Sequence, residues 1–215
     1  MKKAVSFLAV LLLSTNFLTA QEKTSSCSFM PLKGKHSIGF GAGMLNQQEA
    51  TVLTVAVNAE SNLMGSIYYN YWVTEEFALE LNAGILNAEV FNGVSMAGIE
   101  QKAATVIPVL AGARYYPTFA ALAENVRPFV VALVGAHVGH SSSNKIFLGA
   151  KVGSETKVQS VLGSKVGVGI DAFLSSWMRL GLIAGYNIGA DFKEPVGTRE
   201  NYSGFDLSLN LGVLF

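Results

Sequence analysis

Strict alternation of apolar and polar residues at the end of the sequence is the feature that most limits how this chain can fold. The segment from Gly204 to Phe215 reads GFDLSLNLGVLF. Its apolar residues fall at every second position: Phe205, Leu207, Leu209, Leu211, Val213 and Phe215. Only a β-strand places alternate residues on opposite faces, so we predict a strand with one apolar face. That face must pack against another sheet or against lipid.

The first twenty residues have the pattern of a secretory signal peptide. Lys2 and Lys3 precede an apolar run at residues 4–13, and residues 18–20 form a cleavage site. The alternative, an anchoring transmembrane helix, needs roughly twenty apolar residues, and this run is too short. We therefore predict a signal peptide at residues 1–20 and a flexible periplasmic leader at residues 21–35.

The charge and the cysteine content exclude two further classes. Removal of the signal peptide leaves 13 basic residues against 15 acidic residues, so the exported chain lacks the basic field that nucleic-acid binding requires. Cys27 is the only cysteine, which excludes an internal disulfide. We expect an unpaired thiol in the leader. A lipid-modified cysteine is the alternative, but such a residue would directly follow the cleavage site, and Thr24, Ser25 and Ser26 intervene.

Seven further segments repeat the alternation of the last strand. The eight predicted strands are 37–44, 65–73, 77–85, 105–116, 129–139, 166–172, 179–186 and 204–215. After residue 20 no apolar run is long enough for a membrane helix, so any membrane crossing must use strands. Pro108 cannot donate a ladder hydrogen bond, and we expect it to weaken the outer end of the fourth strand.

The predicted connections differ in length between the two ends of the strands. The segments 74–76, 117–128 and the turn near Ser175 are short or medium, whereas 45–62, 87–104, 140–163 and 188–203 are long. Outer-membrane barrels combine short periplasmic turns with longer external loops, and a soluble sandwich has no reason to sort its loops by end. The sequence therefore predicts an all-β fold: an eight-stranded antiparallel up-and-down transmembrane β-barrel at residues 36–215.

Aromatic residues on the apolar faces fall near both ends of the predicted strands. The expected girdle residues are Tyr71, Phe77, Tyr115 and Phe215 at the short-turn end, and Tyr186 and Phe205 at the long-loop end. Aromatic girdles mark the two interfaces of a membrane. At about 3.3 Å per residue and a tilt of about 40°, the strand from Phe205 to Phe215 spans about 25 Å of membrane.

Charged residues of both signs fall on the opposite, inward faces. The predicted lumen polar network consists of Glu80, Arg114, Asp171 and Arg179 towards the short-turn end, with His137 and Asp206 towards the long-loop end. We expect Glu80 and Arg114 on adjacent strands, and Asp171 directly opposite Arg179. Eight strands enclose a lumen that side chains fill, and charges there must pair or stay hydrated. A salt-bridged polar plug is the expectation, and a narrow solute path is the alternative.

The segment His137–Asn144 contains residue types that hydrolases use. His140 and Ser142 would share the outer face near the membrane surface, but no neighbouring outward face supplies the acid that orients a catalytic histidine. The three histidines do not suggest a metal site, because His36 lies at the opposite end of the barrel from His137 and His140. We predict no catalytic residue, metal site or cofactor.

Together these segments resemble the small eight-stranded outer-membrane barrels of the OmpX and OmpA transmembrane-domain type. The resemblance rests on the first strand SIGFGAGM, the hairpin YYNYWVTEEFALELNAGIL, the segment RPFVVALVGA and the terminal FDLSLNLGVLF, and it covers nearly all of residues 36–215. In that family the outer-membrane assembly machinery reads the terminal aromatic residue and the alternate apolar residues before it. The resemblance implies this role for Leu211, Val213 and Phe215.

The expected protein is therefore an integral component of the outer membrane in a Gram-negative-type envelope. Its role would be structural or surface-interacting, carried by the external loops, and its partners would be outer-membrane lipid, lipopolysaccharide and the barrel assembly machinery. Three alternatives stay open: a narrow passive channel for ions or small solutes, an outer-membrane lipid-modifying hydrolase, and a soluble, lipocalin-like exported barrel.

Overall fold

A computed structural model describes residues 30–47, 62–95, 98–147, 150–197 and 199–215. Within these ranges the chain forms nine strands: β1 (His36–Gln47), β2 (Asn62–Trp72), β3 (Phe77–Ile85), β4 (Asn87–Ser95), β5 (Gly98–Tyr115), β6 (Val126–Phe147), β7 (Ala150–Phe173), β8 (Met178–Gly189) and β9 (Gly204–Leu214). A short 3-10 helix, Thr118–Ala120, precedes β6. No helix in the described part of the chain is long and apolar enough to cross a membrane. The predicted signal peptide, Cys27 and residues 21–29 of the leader lie outside the described residues.

The strands form one closed, antiparallel barrel. β3 and β4 both pair with β5 and together occupy one position in the wall, so the nine strands make an eight-stranded barrel. The barrel closes where β9 pairs with β1, from Ser37 opposite Leu214 to Gln47 opposite Gly204. The predicted up-and-down barrel, closed by its first and last strands, is confirmed.

The wall is irregular at Leu86, between β3 and β4. Ala83 lies opposite Val109 and Asn87 lies opposite Val106, so this side of the ladder contains one more residue than the facing part of β5. Such an extra residue is a β-bulge. Pro108 lies in that part of β5, where a residue without an N–H is tolerated because the pairing is already irregular. β5 nevertheless continues past Pro108 to Gly98. The expected weakening of the strand's outer end is therefore wrong.

Two of the predicted long loops are in fact strands. Residues 87–95 form β4 and residues 98–104 the first part of β5, while residues 140–147 belong to β6 and residues 150–163 to β7. The β6–β7 ladder is continuous from Val126 opposite Ala172 to Phe147 opposite Ala150, with one register shift at Lys145. Residues 153–158 are exposed on both faces. A strand without a buried face shows no apolar alternation, so the sequence pattern could not reveal it.

The outer surface of the barrel is apolar and the interior is polar, which is the reverse of a soluble barrel. The outward side chains of β9 and of Phe215, which follows it, are between 46% exposed at Val213 and 66% exposed at Phe215. Other strands continue this surface with Ile38, Phe40, Ile67, Leu79, Leu81, Val109, Val134, Val168 and Leu182. Soluble monomers rarely expose an apolar surface of this extent. The soluble lipocalin-like alternative therefore does not fit the structure.

The segment Met30–Lys35 closes the lumen at the short-turn end. Leu32 is fully buried in an apolar cluster with Trp72, Tyr116 and Phe129. The backbone N–H groups of Leu32 and Lys33 donate to the Glu75 carboxylate at 2.8 and 3.1 Å, and Arg127 Nη2 donates to the Met30 carbonyl oxygen at 2.7 Å. The part of the predicted leader that the structure describes is thus docked onto the barrel.

The segment between β8 and β9 closes the lumen at the long-loop end. Its residues Phe192, Val196 and Tyr202 are buried, and they form a second apolar cluster. The wall contributes Leu45, Met64, Leu86, Ala104 and Val106 to that cluster. Apolar side chains therefore cover both ends of the polar interior.

Candidate functional site

A charged cluster fills the lumen near the short-turn end, and Asp171 lies at its centre. Asp171 Oδ2 accepts hydrogen bonds from Arg114 Nη1 at 3.1 Å, Arg179 Nη1 at 3.0 Å and the Tyr116 hydroxyl at 2.6 Å. These side chains come from β5, β7, β8 and the residue that follows β5. Each occupies an inward position of the alternation, so neighbouring strands bring them together.

Glu80 extends this cluster on the other side of Arg114. Its Oε2 accepts hydrogen bonds from Arg114 Nε at 2.8 Å and from Asn70 Nδ2 at 3.0 Å, and Asn70 Oδ1 accepts one from Arg179 Nη2 at 2.7 Å. Glu80, Arg114, Asp171 and Arg179 are each no more than 2% exposed. Two carboxylates face two guanidinium groups, so the cluster is electrically balanced, as buried charges require.

Aromatic rings line the same part of the lumen. The guanidinium carbon of Arg114 lies 4.1 Å from the ring centroid of Phe129. That of Arg179 lies 5.1 Å from the Tyr68 ring and 5.2 Å from the Trp72 ring. Cation–π contacts within about 6 Å favour a desolvated guanidinium group. The two arginines are therefore held by packing as well as by ion pairs.

A glycine in the wall makes room for Asp171. Gly181 lies directly opposite Asp171 in the β7–β8 ladder, and a Cβ at this position would overlap Asp171 Oδ1. Arg179 lies opposite Phe173 and reaches Asp171 diagonally. The expectation that Asp171 and Arg179 are directly opposed is therefore wrong, because the β7–β8 turn is centred on Ser176 and not on Ser175.

A second ion pair lies nearer the long-loop end. Asp206 accepts hydrogen bonds from Lys165 Nζ at 2.7 Å and from Asn187 Nδ2 at 2.8 Å. Gly185 lies opposite Asp206, and a Cβ at Gly185 would be 2.8 Å from Asp206 Oδ2 and 3.0 Å from Lys165 Cε. This pair is also balanced in charge, and a glycine again provides its space.

His137 lies apart from both ionic clusters. It is fully buried on β6 opposite Pro108, and a Cβ at Gly163 or Gly189 would contact its ring. Neither ring nitrogen has a hydrogen-bond partner among the residues that the structure describes. His137 and Asp206, which the sequence placed in one group, are thus not joined by a hydrogen bond.

Four members of these clusters were absent from the predicted network: Asn70, Tyr116, Lys165 and Asn187. Asn70 and Tyr116 fall on predicted inward faces, but neither carries a charge. Lys165 lies between the predicted loop 140–163 and the strand predicted to begin at Val166, so the sequence analysis assigns it to neither. The sequence did contain a signal. Lys165 directly precedes Val166, which faces outwards, so extending the predicted strand by one residue places Lys165 on the inward face.

The predicted girdle residues lie on the outer surface at the two ends of the barrel. Tyr71, Phe77 and Tyr115 are 36%, 38% and 40% exposed at the short-turn end. Tyr186 lies opposite Phe205 at the long-loop end. His36, which the sequence did not place in a girdle, adds to the short-turn end: its ring centroid is 4.8 Å from that of Tyr71 and 5.7 Å from that of Phe215.

His140 and Ser142 lie two positions apart on the outward side of β6. The register places Thr105 and Val158 beside His140. Neither residue can orient an imidazole as the carboxylate of a catalytic triad does. In the described ranges, no three His, Cys, Asp or Glu side chains are grouped closely enough to hold a metal ion.

Polar contacts tie the projecting part of β7 to the segment between β8 and β9. Lys157 Nζ donates to Glu194 Oε2 at 2.9 Å and lies 3.3 Å from Glu155 Oε1. These hydrogen bonds to Glu194 and Glu155 raise the pKa of Lys157. Gln159 adds a bond to the Glu194 carbonyl oxygen at 3.1 Å and accepts one from the Glu194 N–H at 3.2 Å.

Comparisons with known proteins identify the fold. No family model matches the sequence, and no curated protein does. The structure is similar to Ail, the attachment invasion locus protein of Yersinia pestis, with a TM-score of 0.50 and 14% identity over 85% of this chain and 99% of that chain. It is also similar to the outer membrane protein OprG of Pseudomonas aeruginosa, with a TM-score of 0.52 and 13% identity over 86% of this chain and 97% of that chain. The chain therefore has the fold of the small eight-stranded outer-membrane barrels, and the apolar exterior that a place in that membrane requires.

Proposed function

We propose that this chain is an integral outer-membrane barrel with a closed lumen and a structural or surface-interaction role. The filled interior is the observation that carries the proposal. The cluster around Asp171 and the pair of Lys165 with Asp206 are balanced in charge and internally hydrogen-bonded. A solute path needs polar groups that water can reach, whereas these side chains are buried and bonded to one another.

The apolar clusters at the two ends support the same proposal. Leu32 blocks the lumen at the short-turn end, and Phe192, Val196 and Tyr202 block it at the long-loop end. A passing ion would have to displace both apolar clusters and separate at least one buried ion pair. Breaking a buried pair costs about 3–5 kcal/mol, so steady conduction is disfavoured.

The surface-interaction role is assigned to the extended hairpins at the long-loop end. Beyond Leu162, towards Ala150, β7 pairs with β6 but has no ladder with β8 among the described residues. The exposed backbone of such an edge can pair with an extended segment of another protein. By its position, this end would face outwards and the short-turn end would face the periplasm.

Conductance in planar bilayers tests the closed lumen. The refolded chain should show no steady, salt-dependent openings, under conditions in which a general porin in the same bilayers conducts. Steady openings whose size follows the salt concentration would establish the alternative, a narrow passive channel for ions or small solutes.

Incubation with lipopolysaccharide tests the remaining alternative, a lipid-modifying hydrolase. We expect no release of acyl chains, because the residues beside His140 offer no carboxylate. Release by the parent chain that is lost in His140→Ala would overturn the proposal.

The proposed partners are outer-membrane lipid and lipopolysaccharide around the belt, and the assembly machinery at Leu211, Val213 and Phe215.

A further inference from the structure

A depression of about 650 Å³ interrupts the lipid-facing surface at the short-turn end. Its lining includes His36, Tyr69, Tyr71, Leu79, Leu81 and Ala111. In the register Tyr71 lies opposite Leu79, Tyr69 lies opposite Leu81, and Leu81 lies opposite Ala111. The depression therefore starts at the rim of the barrel beside His36 and extends along the wall towards its middle.

The depression is polar at the rim and apolar at depth. At the rim His36 Nδ1 lies 2.5 Å from the Tyr69 hydroxyl, and the His36 and Tyr71 ring centroids are 4.8 Å apart. The hydrogen bond fixes the orientation of the imidazole, so that Nε2 is the ring nitrogen that can meet a ligand. At depth the lining includes Leu81, Ala111 and Gly112. Glu80 also belongs to the lining, but its side chain is buried and its carboxylate is bonded to Arg114. This order of groups matches a molecule with a polar head and an apolar tail.

The small side chain of Ala111 gives the depression its depth. Ala111 is flanked in the ladders by Leu81 on β3 and Val134 on β6, which both stand higher on the outer surface. An acyl chain lying over Ala111 would contact protein on its sides as well as beneath it. Dispersion contacts are additive, so this position holds a chain better than the flat part of the belt does.

The charges at the rim favour a phosphate. Lys33 is exposed and Lys35 is half-buried on the segment that leads into β1, and Lys35 Nζ lies 3.4 Å from the Ser176 carbonyl oxygen. Glu75 accepts hydrogen bonds from the backbone of Leu32 and Lys33, and Glu76 accepts one from Thr118. Glu80, which belongs to the lining, accepts hydrogen bonds from Arg114 and Asn70, so these three carboxylates are all engaged with other groups. Lys35 donates to the β7–β8 turn, so the exposed Lys33 is the lysine that provides charge for an anionic head group.

We propose that this depression binds one glycerophospholipid of the periplasmic leaflet. Its acyl chain lies along Leu79, Leu81 and Ala111, and its phosphate lies at the rim beside His36 and the Tyr71 hydroxyl. This inference rests on the proposed position in the outer membrane, because the orientation of the barrel decides which leaflet the short-turn end meets. The bound lipid would hold the rim of the barrel at a fixed depth in the membrane.

Photocrosslinking of lipid to the full chain tests the proposal. The chain is refolded into vesicles of phosphatidylethanolamine and phosphatidylglycerol that contain a small fraction of phosphatidylethanolamine with a diazirine in one acyl chain. After irradiation, mass spectrometry compares labelling per exposed area at residues 77–85 and 107–115 with labelling at residues 205–215. We expect an enrichment of about tenfold, which corresponds to a preference of about 1.4 kcal/mol.

Three variants and one lipid control sharpen the test. Ala111→Trp fills the depression and should abolish the enrichment, whereas Ala42→Trp, at another lipid-facing alanine, should leave it unchanged. His36→Phe keeps the ring packing and should lower the enrichment with the phospholipid. The same variant should leave the enrichment unchanged with a diacylglycerol that carries the same photoreactive chain, because that lipid has no phosphate.

Even labelling of the belt in the inserted chain would overturn the lipid site alone. An equal loss in Ala111→Trp and Ala42→Trp would do the same. Failure of the chain to insert, read from the absence of a gel shift between boiled and unboiled samples, would overturn the proposed membrane function together with the lipid site.

Discussion

Asp171 is the residue on which the lumen cluster depends, because one of its oxygens accepts hydrogen bonds from two guanidinium groups and one hydroxyl. Asp171→Asn keeps the shape of the side chain but removes its charge. Arg114 and Arg179 then face only Glu80, which leaves an uncompensated buried charge. We expect the free energy of unfolding, measured by urea titration in vesicles, to fall by about 3–5 kcal/mol.

Glu155→Gln is the matched control for Asp171→Asn. The Glu155 carboxylate also contacts a cation, Lys157, but its side chain is 69% exposed. Solvent screens exposed ion pairs, so the loss of this charge should leave the stability unchanged within error. Equal stability of the Asp171→Asn variant and the parent chain would contradict the view that the cluster carries buried, interdependent charges.

At the residue scale, the sequence could assign side chains to a face but could not assign their partners. Alternation placed Glu80, Arg114, Asp171 and Arg179 on inward faces, and the structure has all four buried there. The contacts depend on registers that a shift of one residue changes. The β7–β8 register puts Gly181, and not Arg179, opposite Asp171. Long arginine side chains then reach across the ladder in ways that strand position does not determine.

At the scale of elements, the projecting β6–β7 hairpin is the part that the sequence failed to predict. Its outer residues have no buried face, so the only sign of a strand is the backbone ladder. We expect amide hydrogen exchange to distinguish a ladder from a loop. Along residues 154–160 of β7, alternate amides should be protected by bonds to β6, and those between them should exchange rapidly.

Residue-resolved exchange measured by NMR in detergent micelles or nanodiscs provides this test. Residues 166–172 of β7 serve as the internal control, since they pair with strands on both sides and should be protected throughout. Uniformly rapid exchange across residues 154–160 would show that this region is a loop in solution and would remove the basis for the projecting edge.

Sequence patterns also could not predict which segments cover the two ends of the barrel. Leu32 lies in a stretch that was predicted to be a flexible leader, yet it is buried among Trp72, Tyr116 and Phe129. Phe192, Val196 and Tyr202 stand in an irregular connection. A single apolar residue in an irregular segment has no periodicity, and its burial follows only from the position of the closed wall around it.

At the scale of the whole molecule, the barrel was predictable because its evidence is repeated in every strand. Alternation in one strand is a weak signal, but closure requires all strands to present the same apolar side to the outside. The aromatic girdles and the inward charges follow from the same alternation. The apolar belt and the charged interior are thus consequences of one pattern, whereas the hairpins and the two closing segments are local additions to it.

Phe215 links the closure of the barrel to its assembly, and the last prediction separates the two. Its backbone exchanges hydrogen bonds with His36 at 2.9 and 3.0 Å, and its ring stacks on that of His36. Phe215→Ala keeps the backbone bonds and removes only the ring. If the assembly machinery reads this ring, the variant should lose most of its assembled form in cells. It should still fold into vesicles in vitro almost as efficiently as the parent chain, because no machinery acts there.

Phe205→Ala, at the other end of the same strand, is the control for Phe215→Ala. Phe205 also faces lipid and is 51% exposed, so its loss removes a comparable interfacial ring. Assembly in cells is measured by the gel shift between boiled and unboiled outer-membrane fractions, and this control should keep it near the parent level. Similar losses in both variants would mean that the ring at Phe215 acts by anchoring the barrel in the interface. Normal assembly of Phe215→Ala would exclude the ring as a signal.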